Sequence, residues 1–200
     1  MKLKPTQIVP FVLFLITLAV NISMPLFRPY AQVAGLGNGQ TSLVLATYIF
    51  GMLPCYIFLG GISDRIGRKP ILLLSLFFSL VSDVIITLYP NVYALIIARL
   101  FQGAALGLSM GTGTAYLAEL LANDTQATSK AANAASFSTA FGFSGGAFIT
   151  SIALLIQFDY QPITYFVAIA ITIIGLIYAL AETLSDYPIF PKTHFLSTFQ

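Results

Sequence analysis

Charge is what this sequence lacks. Nine Lys/Arg and seven Asp/Glu are all that 200 residues carry, 8% of the chain against 58% hydrophobic residues. Soluble domains run near 25% charged, so too few polar side chains are present to cover a water-facing core of this size. Lipid is therefore the solvent for most of the chain. A net charge of +2, with no basic patch interleaved with aromatics, leaves no case for a nucleic-acid partner. The single cysteine, Cys55, excludes an intramolecular disulfide, and inside an apolar run it reads as a small packing residue. The single histidine, His194, falls in the C-terminal tail and reads as solvated. The sequence shows no metal constellation, no phosphate-cradling loop and no nucleophile–base pair. No enzyme activity, metal or cofactor is expected.

What is there instead is long uncharged runs. Crossing the hydrocarbon core as a helix takes about 20 mostly apolar residues. Six runs qualify: 7–27, 42–60, 71–89, 93–117, 131–156 and 163–181. Backbone groups in lipid must be satisfied internally, and these continuous runs do not alternate as barrel strands do. The expectation is an all-α membrane protein with six transmembrane helices. The first run is uncharged from Pro5 to Phe27, longer than the roughly 7–15 residues of a signal-peptide core, with no small-residue cleavage site after it. It reads as a retained span.

With the N-terminus inside, the cytoplasmic segments hold Lys2, Lys4, Arg65, Arg68, Lys69, Lys130 and Lys192. The opposite side holds Arg28, and Arg99 falls within a span. That asymmetry follows the positive-inside rule and places both termini in the cytoplasm of a cell membrane. Four charges, Asp64, Arg65, Arg68 and Lys69, crowd into the turn "GGISDRIGRKP" between the second and third spans. Topology alone asks for cations there. It does not ask for Asp64, or for glycines at 60, 61 and 67.

Gly60-Gly61-Ile62-Ser63-Asp64-Arg65-Ile66-Gly67-Arg68-Lys69 resembles the loop signature of the major facilitator superfamily, G-x-L-A-D-R-x-G-R-R/K, in its usual place after the second span. "RLFQG", residues 99–103, resembles the fourth-span R-x-x-Q-G signature, and "AETL" at 181–184 resembles the acidic close of the sixth. "PLFRPY" at 25–30 resembles the proline pair ending the first span, one residue longer than usual. The resemblance covers nearly the whole chain and corresponds to the N-terminal half of a twelve-span carrier: a six-span bundle over 1–184 made of two three-helix repeats, then a linker beginning at 185–200. It implies a secondary, proton-coupled carrier of a small solute working by alternating access. Its partners would be the bilayer, the solute, and either a second six-span half or another copy of itself. A half-size homodimeric carrier and a non-transporting truncated subunit are the alternatives.

Residue roles follow in the same terms. Arg68 or Arg65 could reach Glu119 at the end of the fourth span, as planar charge-assisted pairs do. The resemblance implies such a latch, with Asp64 meeting the opposite half; a plain topology loop is the other reading. Within the spans a charge is costly and usually faces a partner or a wet cavity. Asp83 and Arg99 lie about six residues from the outer ends of their spans, near 9 Å deep at 1.5 Å per residue. Asp83 has three readings: a partner of Arg99, a coupling acid replacing the absent first-span carboxylate, or a side chain directed to lipid headgroups. Asn21 with Thr17, Met24 and Arg28, and Gln102 with Arg99 and Ser109, form polar faces that suit a central cavity or ordinary interhelical hydrogen bonds. Gly103, Gly107 and Gly111 on the fourth span, and Ser138, Gly142 and Gly146 on the fifth, form small-residue faces for close packing. Drug–proton antiporters of the family carry Gly-Pro-x-x-Gly-Gly on the fifth span. "AFGFSGG" at 140–146 keeps glycines without the proline or the spacing, so that subgroup stays open.

Overall fold

The computed structural model describes residues 4–27, 31–32, 35–59, 61–89, 91–156 and 163–186. Gly60, Arg28, Lys2, Lys192, His194 and the stretch beyond Asp186 lie outside the described residues. Among the described residues six long helices form: α1 Pro5–Ile22, α2 Asn38–Leu59, α3 Arg68–Leu88, α4 Val92–Leu120, α5 Ala127–Ile156 and α6 Ile163–Asp186. A 3-10 turn, Met24–Leu26, continues α1, and a short helix, Ile62–Ile66, joins α2 to α3. Among the described residues α1 to α5 are long and apolar enough to cross a membrane, and α6 is apolar over Phe166–Leu180. The chain is an all-α membrane domain, with no strand among the described residues.

Most helices run past the apolar stretches read from sequence, because polar caps outside the lipid close them. The Gln7 side chain accepts from the Lys4 amide at 3.2 Å, reaching back to the start of α1. Asn91 caps α4 by accepting from the Ala94 amide at 3.0 Å. Asp124, in the α4–α5 connection, accepts from the Gln126 amide at 2.9 Å and pairs with Lys130. The Lys130 ammonium, with that amide behind it, holds the Asp124 carboxyl below the usual carboxylate range. Gly67 starts α3 at φ 109°, a conformation that an L side chain adopts only under strain.

The register between helices gives their directions. Gly103 and Gly107 of α4 meet Tyr48 and then Met52 of α2, so those two helices run parallel. Gly142 and Gly146 of α5 meet Phe14 and then Leu18 of α1, a second parallel pair. By contrast Gly113 of α4 meets Leu13 of α1, while Gln102 reaches Ser23, so α1 and α4 are antiparallel. Together these registers describe a chain that crosses back and forth. Exchanging α1 with α4 and α2 with α5 maps one glycine-sealed pair onto the other, as two three-helix repeats require.

Helix α1 is the centre of the bundle, packed by α5, α4, α6 and α3. One apolar core joins Val12, Leu13 and Ile16 to Leu72, Leu76 and Ala105. A second, toward the other end, joins Ile22, Leu26 and Phe27 to Ile86, Leu95 and Ala98. In lipid no hydrophobic force drives helices together, so close approach and dispersion must do so. The glycines supply that approach. A Cβ at Gly103 would lie 1.9 Å from the Tyr48 carbonyl oxygen, and one at Gly107 2.4 Å from that of Met52. At Gly146 it would lie 2.4 Å from the Leu18 oxygen, and at Gly142 2.0 Å from Thr17 Oγ1.

Gly111 departs from the expected seam. Its nearest foreign atom would be a Tyr56 ring carbon at 4.0 Å, and the residue is exposed. At 3.6 residues per turn each i+4 step advances about 40° around the helix, so two steps carry Gly111 off the α2 contact. Gly51 of α2 joins the seam instead, where a Cβ would lie 2.1 Å from the Leu100 oxygen.

Candidate functional site: a charged turn and an enclosed polar interior

The short helix and the first residue of α3 build the charged turn around one side chain. Arg68 Nη2 pairs with Asp64 Oδ1 at 2.5 Å, Nη1 donates to Ser63 Oγ at 2.5 Å, and Nε donates to Glu119 Oε1 at 3.0 Å. Gly67 makes this geometry accessible, since its left-handed φ turns the chain between Asp64 and Arg68. The guanidinium thus ties the α2–α3 connection to the end of α4. Its side chain is only 18% exposed, against 59% for Asp64 and 56% for Glu119. Arg65 is exposed and takes no part among the described contacts, while Lys69 is half-buried. Ser63, fully buried, is a member of this cluster that sequence reasoning passed over; its place inside the signature was the signal.

The polar faces of α1 and α4 are not open. Thr17, Arg99, Gln102 and Ser109 are each at most 1% exposed, enclosed by neighbouring helices of the same bundle. These four do not line a free cavity face; of the other residues named for those faces, the described ones, Asn21, half-buried, and Met24, exposed, reach outward. Thr17 and Ser109 bond backbone carbonyls of their own helices. The Asn21 amide donates across to the Phe143 carbonyl of α5. Gln102 Nε2 lies 3.5 Å from Ser23 Oγ. Arg99 stacks its guanidinium 4.1 Å from the centre of the Phe27 ring, with Nη2 3.5 Å from Met24 Sδ.

Asp83 and Arg99 do not pair. Arg99 turns toward the end of α1, where the Phe27 ring receives it, and Asp83 stays on the α3 seam. Asp83 is 0% exposed, which removes the reading as a headgroup-directed side chain. Neither of its carboxylate oxygens has a hydrogen-bond partner among the described residues.

Known proteins complete the picture. An uncharacterized transporter of Buchnera aphidicola is 30% identical over 132 residues, 65% of this chain and 33% of that protein. A D-xylose transporter of Levilactobacillus brevis is 33% identical over 93 residues, 46% of this chain and 20% of its own. The quinolone resistance protein NorA of Staphylococcus aureus is 25% identical over 117 residues, 58% of this chain and 30% of its own. In each case the shared stretch spans a third or less of the relative's length. The sequence pattern of the Major Facilitator Superfamily matches residues 10–193. Six packed helices, the charged turn held on Arg68 and a match over nearly the full length make this chain a member of the Major Facilitator Superfamily.

Proposed function

We propose that this bundle is the N-terminal half of a secondary carrier that moves a small solute by alternating access, with both termini in the cytoplasm. The observation that carries the reading is the uncovered face of α5. The polar residues Asn133, Ser136, Ser144 and Ser151 are exposed along that span, among Phe137, Phe141 and Phe148. Polar groups facing lipid at membrane depth are costly, so such a stripe suits a protein surface or a wet path. A second six-helix bundle laid on α5 and the equally bare α2 would provide both.

In this reading Arg68, Asp64 and Glu119 form the cytoplasmic latch. Exposed ion pairs are worth about 0–1 kcal/mol, so the latch biases one conformer over another rather than holding the fold. Asp64 remains more than half exposed while paired with Arg68, which leaves it accessible to the second half. A carrier of this kind draws on a cation gradient, the proton gradient in the reading from resemblance, with Asp83 as the buried acid that takes up the coupling ion. The relatives named for D-xylose and for quinolone resistance supply two probe solutes of different chemistry.

The test is solute flux in proteoliposomes. The 200-residue chain alone should give no saturable flux of either solute, and adding the C-terminal six-helix bundle of a family carrier should give it. Saturable flux from the chain alone, abolished by Arg99→Ala, would replace this reading with a homodimeric half-carrier. No flux from either preparation would count against a carrier.

A further inference from the structure

The buried seam of α3 gathers oxygens that nothing satisfies. Ser79, Ser82 and Asp83 are each 0% exposed. Ser79 Oγ, Ser82 Oγ and both carboxylate oxygens of Asp83 have no hydrogen-bond partner among the described residues. Residues three and four apart on a helix are neighbours, about 5–6 Å between Cβ atoms, so these side chains form one patch. The helices enclosing α3 are α4, α6 and α1. The Phe78 and Phe101 rings, 5.4 Å apart, fix the level at which α3 and α4 meet. Ser79 and Gln102 follow those rings on their helices, displaced in opposite directions by about 1.5 Å each because α3 and α4 are antiparallel. Gln102 is also 0% exposed, and its Oε1 is likewise without a partner while its amide faces Ser23. Five unsatisfied oxygens from four residues therefore gather along about one turn of α3, with Ser79 and Gln102 at one end of that turn and Asp83 at the other. Thr112 and Thr150, the other buried hydroxyls in this condition, stand singly on α4 and α5.

One carboxylate and three neutral residues contributing oxygens, with no donor aimed at the carboxylate, call for a positive species with several coordination positions. A proton would satisfy one oxygen and leave the rest orphaned. A divalent ion would leave net positive charge in the hydrocarbon layer, at a cost. Oxygen-only ligands suit hard cations rather than metals that seek thiolate or imidazole, and no group of three His/Cys/Asp/Glu occurs among the described residues. The charged residues of α4 are Arg99, engaged with Phe27, and Glu119, at its far end; α1 has none. Described side chains of α6 carry no charge.

We infer that Ser79, Ser82, Asp83 and Gln102 form a binding site for a monovalent alkali cation, Na⁺ first among them, inside this bundle. The inference rests on the carrier reading for its purpose, as the site of the coupling ion, but binding can be measured without transport. The purified full chain in detergent is unfolded by heat while a thiol-reactive dye reports on Cys55, its one thiol. An ion that binds only the folded form raises the midpoint with concentration. NaCl should raise it saturably over choline chloride at equal ionic strength. That rise should be lost in Asp83→Asn and reduced in Ser79→Ala and Ser82→Ala. No Na⁺-specific rise, or an equal rise in Asp83→Asn, overturns the site. Should Asp83→Asn fail to fold, Ser82→Ala decides: a response equal to that of the unmodified chain overturns the site. A missing Na⁺ response alongside solute flux in the reconstituted carrier would remove the site and leave the carrier reading standing.

Discussion

Replacing Gly103 by alanine puts the packing account at greatest risk. The added Cβ would lie 1.9 Å from the Tyr48 carbonyl oxygen and 2.8 Å from the Met52 amide nitrogen, both backbone atoms of a helix. Ordinary contact begins at 3.4 Å, so the α2–α4 seam would have to open by about 1.5 Å. Opening it also loses the dispersion contacts that hold α2, whose main long-helix partner is α4. Overpacking costs about 1–3 kcal/mol, and a clash this short against backbone falls at the upper end, about 3 kcal/mol. Alanine's better helix propensity returns about 1 kcal/mol, leaving a net loss near 2 kcal/mol. For a chain of this size that lowers the unfolding midpoint by about 4–8 °C. Gly111→Ala is the matched control, since its Cβ would meet only a ring carbon at 4.0 Å. It should be neutral or slightly stabilising. Thermal unfolding of both variants in one detergent, followed through Cys55, decides between them. A Gly103→Ala midpoint equal to that of Gly111→Ala would refute the close seam.

Other outcomes follow from the charged turn and the crossings. Gly67→Ala should destabilise the chain by about 1–3 kcal/mol, because φ 109° is strained for any side chain. Gly61→Ala, with nothing within 4 Å of its Cβ, should be tolerated, and equal unfolding midpoints would refute the contrast. Arg68→Ala should change the thermal midpoint little yet increase modification of a cysteine placed at Ser63, whereas Arg65→Ala should do neither; equal effects would remove Arg68 from its special place. In a Cys55→Ser background, a cysteine at Asn91 should label from outside intact cells and one at Asp124 should not. Labelling at 124 would reverse the orientation.

Much of this was legible because lipid simplifies the code. A span announces itself by length and hydropathy, and a charged turn stands out where charge is scarce. Thus α1 to α6 and the approach of Arg68 to Glu119 could both be anticipated from residue types. Rotational phase was the harder quantity. Gly103, Gly107 and Gly111 share a spacing, but the face drifts with each turn, and only the packing showed where it leaves α2. Arg99 and Asp83 were likewise matched in depth and not in direction. An arginine beside an aromatic ring has an alternative to a carboxylate, and Phe27, distant in sequence, gave no local signal. Thr17, Arg99, Gln102 and Ser109 proved enclosed for a related reason: in lipid, a polar side chain inside a bundle and one on a cavity wall obey the same pattern.

The central claim is that the bare face of α5 meets protein, not lipid. A photo-activatable phenylalanine analogue placed at Phe141 or Ser144 in native membranes tests it, with Phe77 on the apolar outer face of α3 as reference. The account predicts adducts to protein outside these six helices from positions 141 and 144, and lipid adducts alone from 77. Lipid adducts alone from all three positions would contradict it.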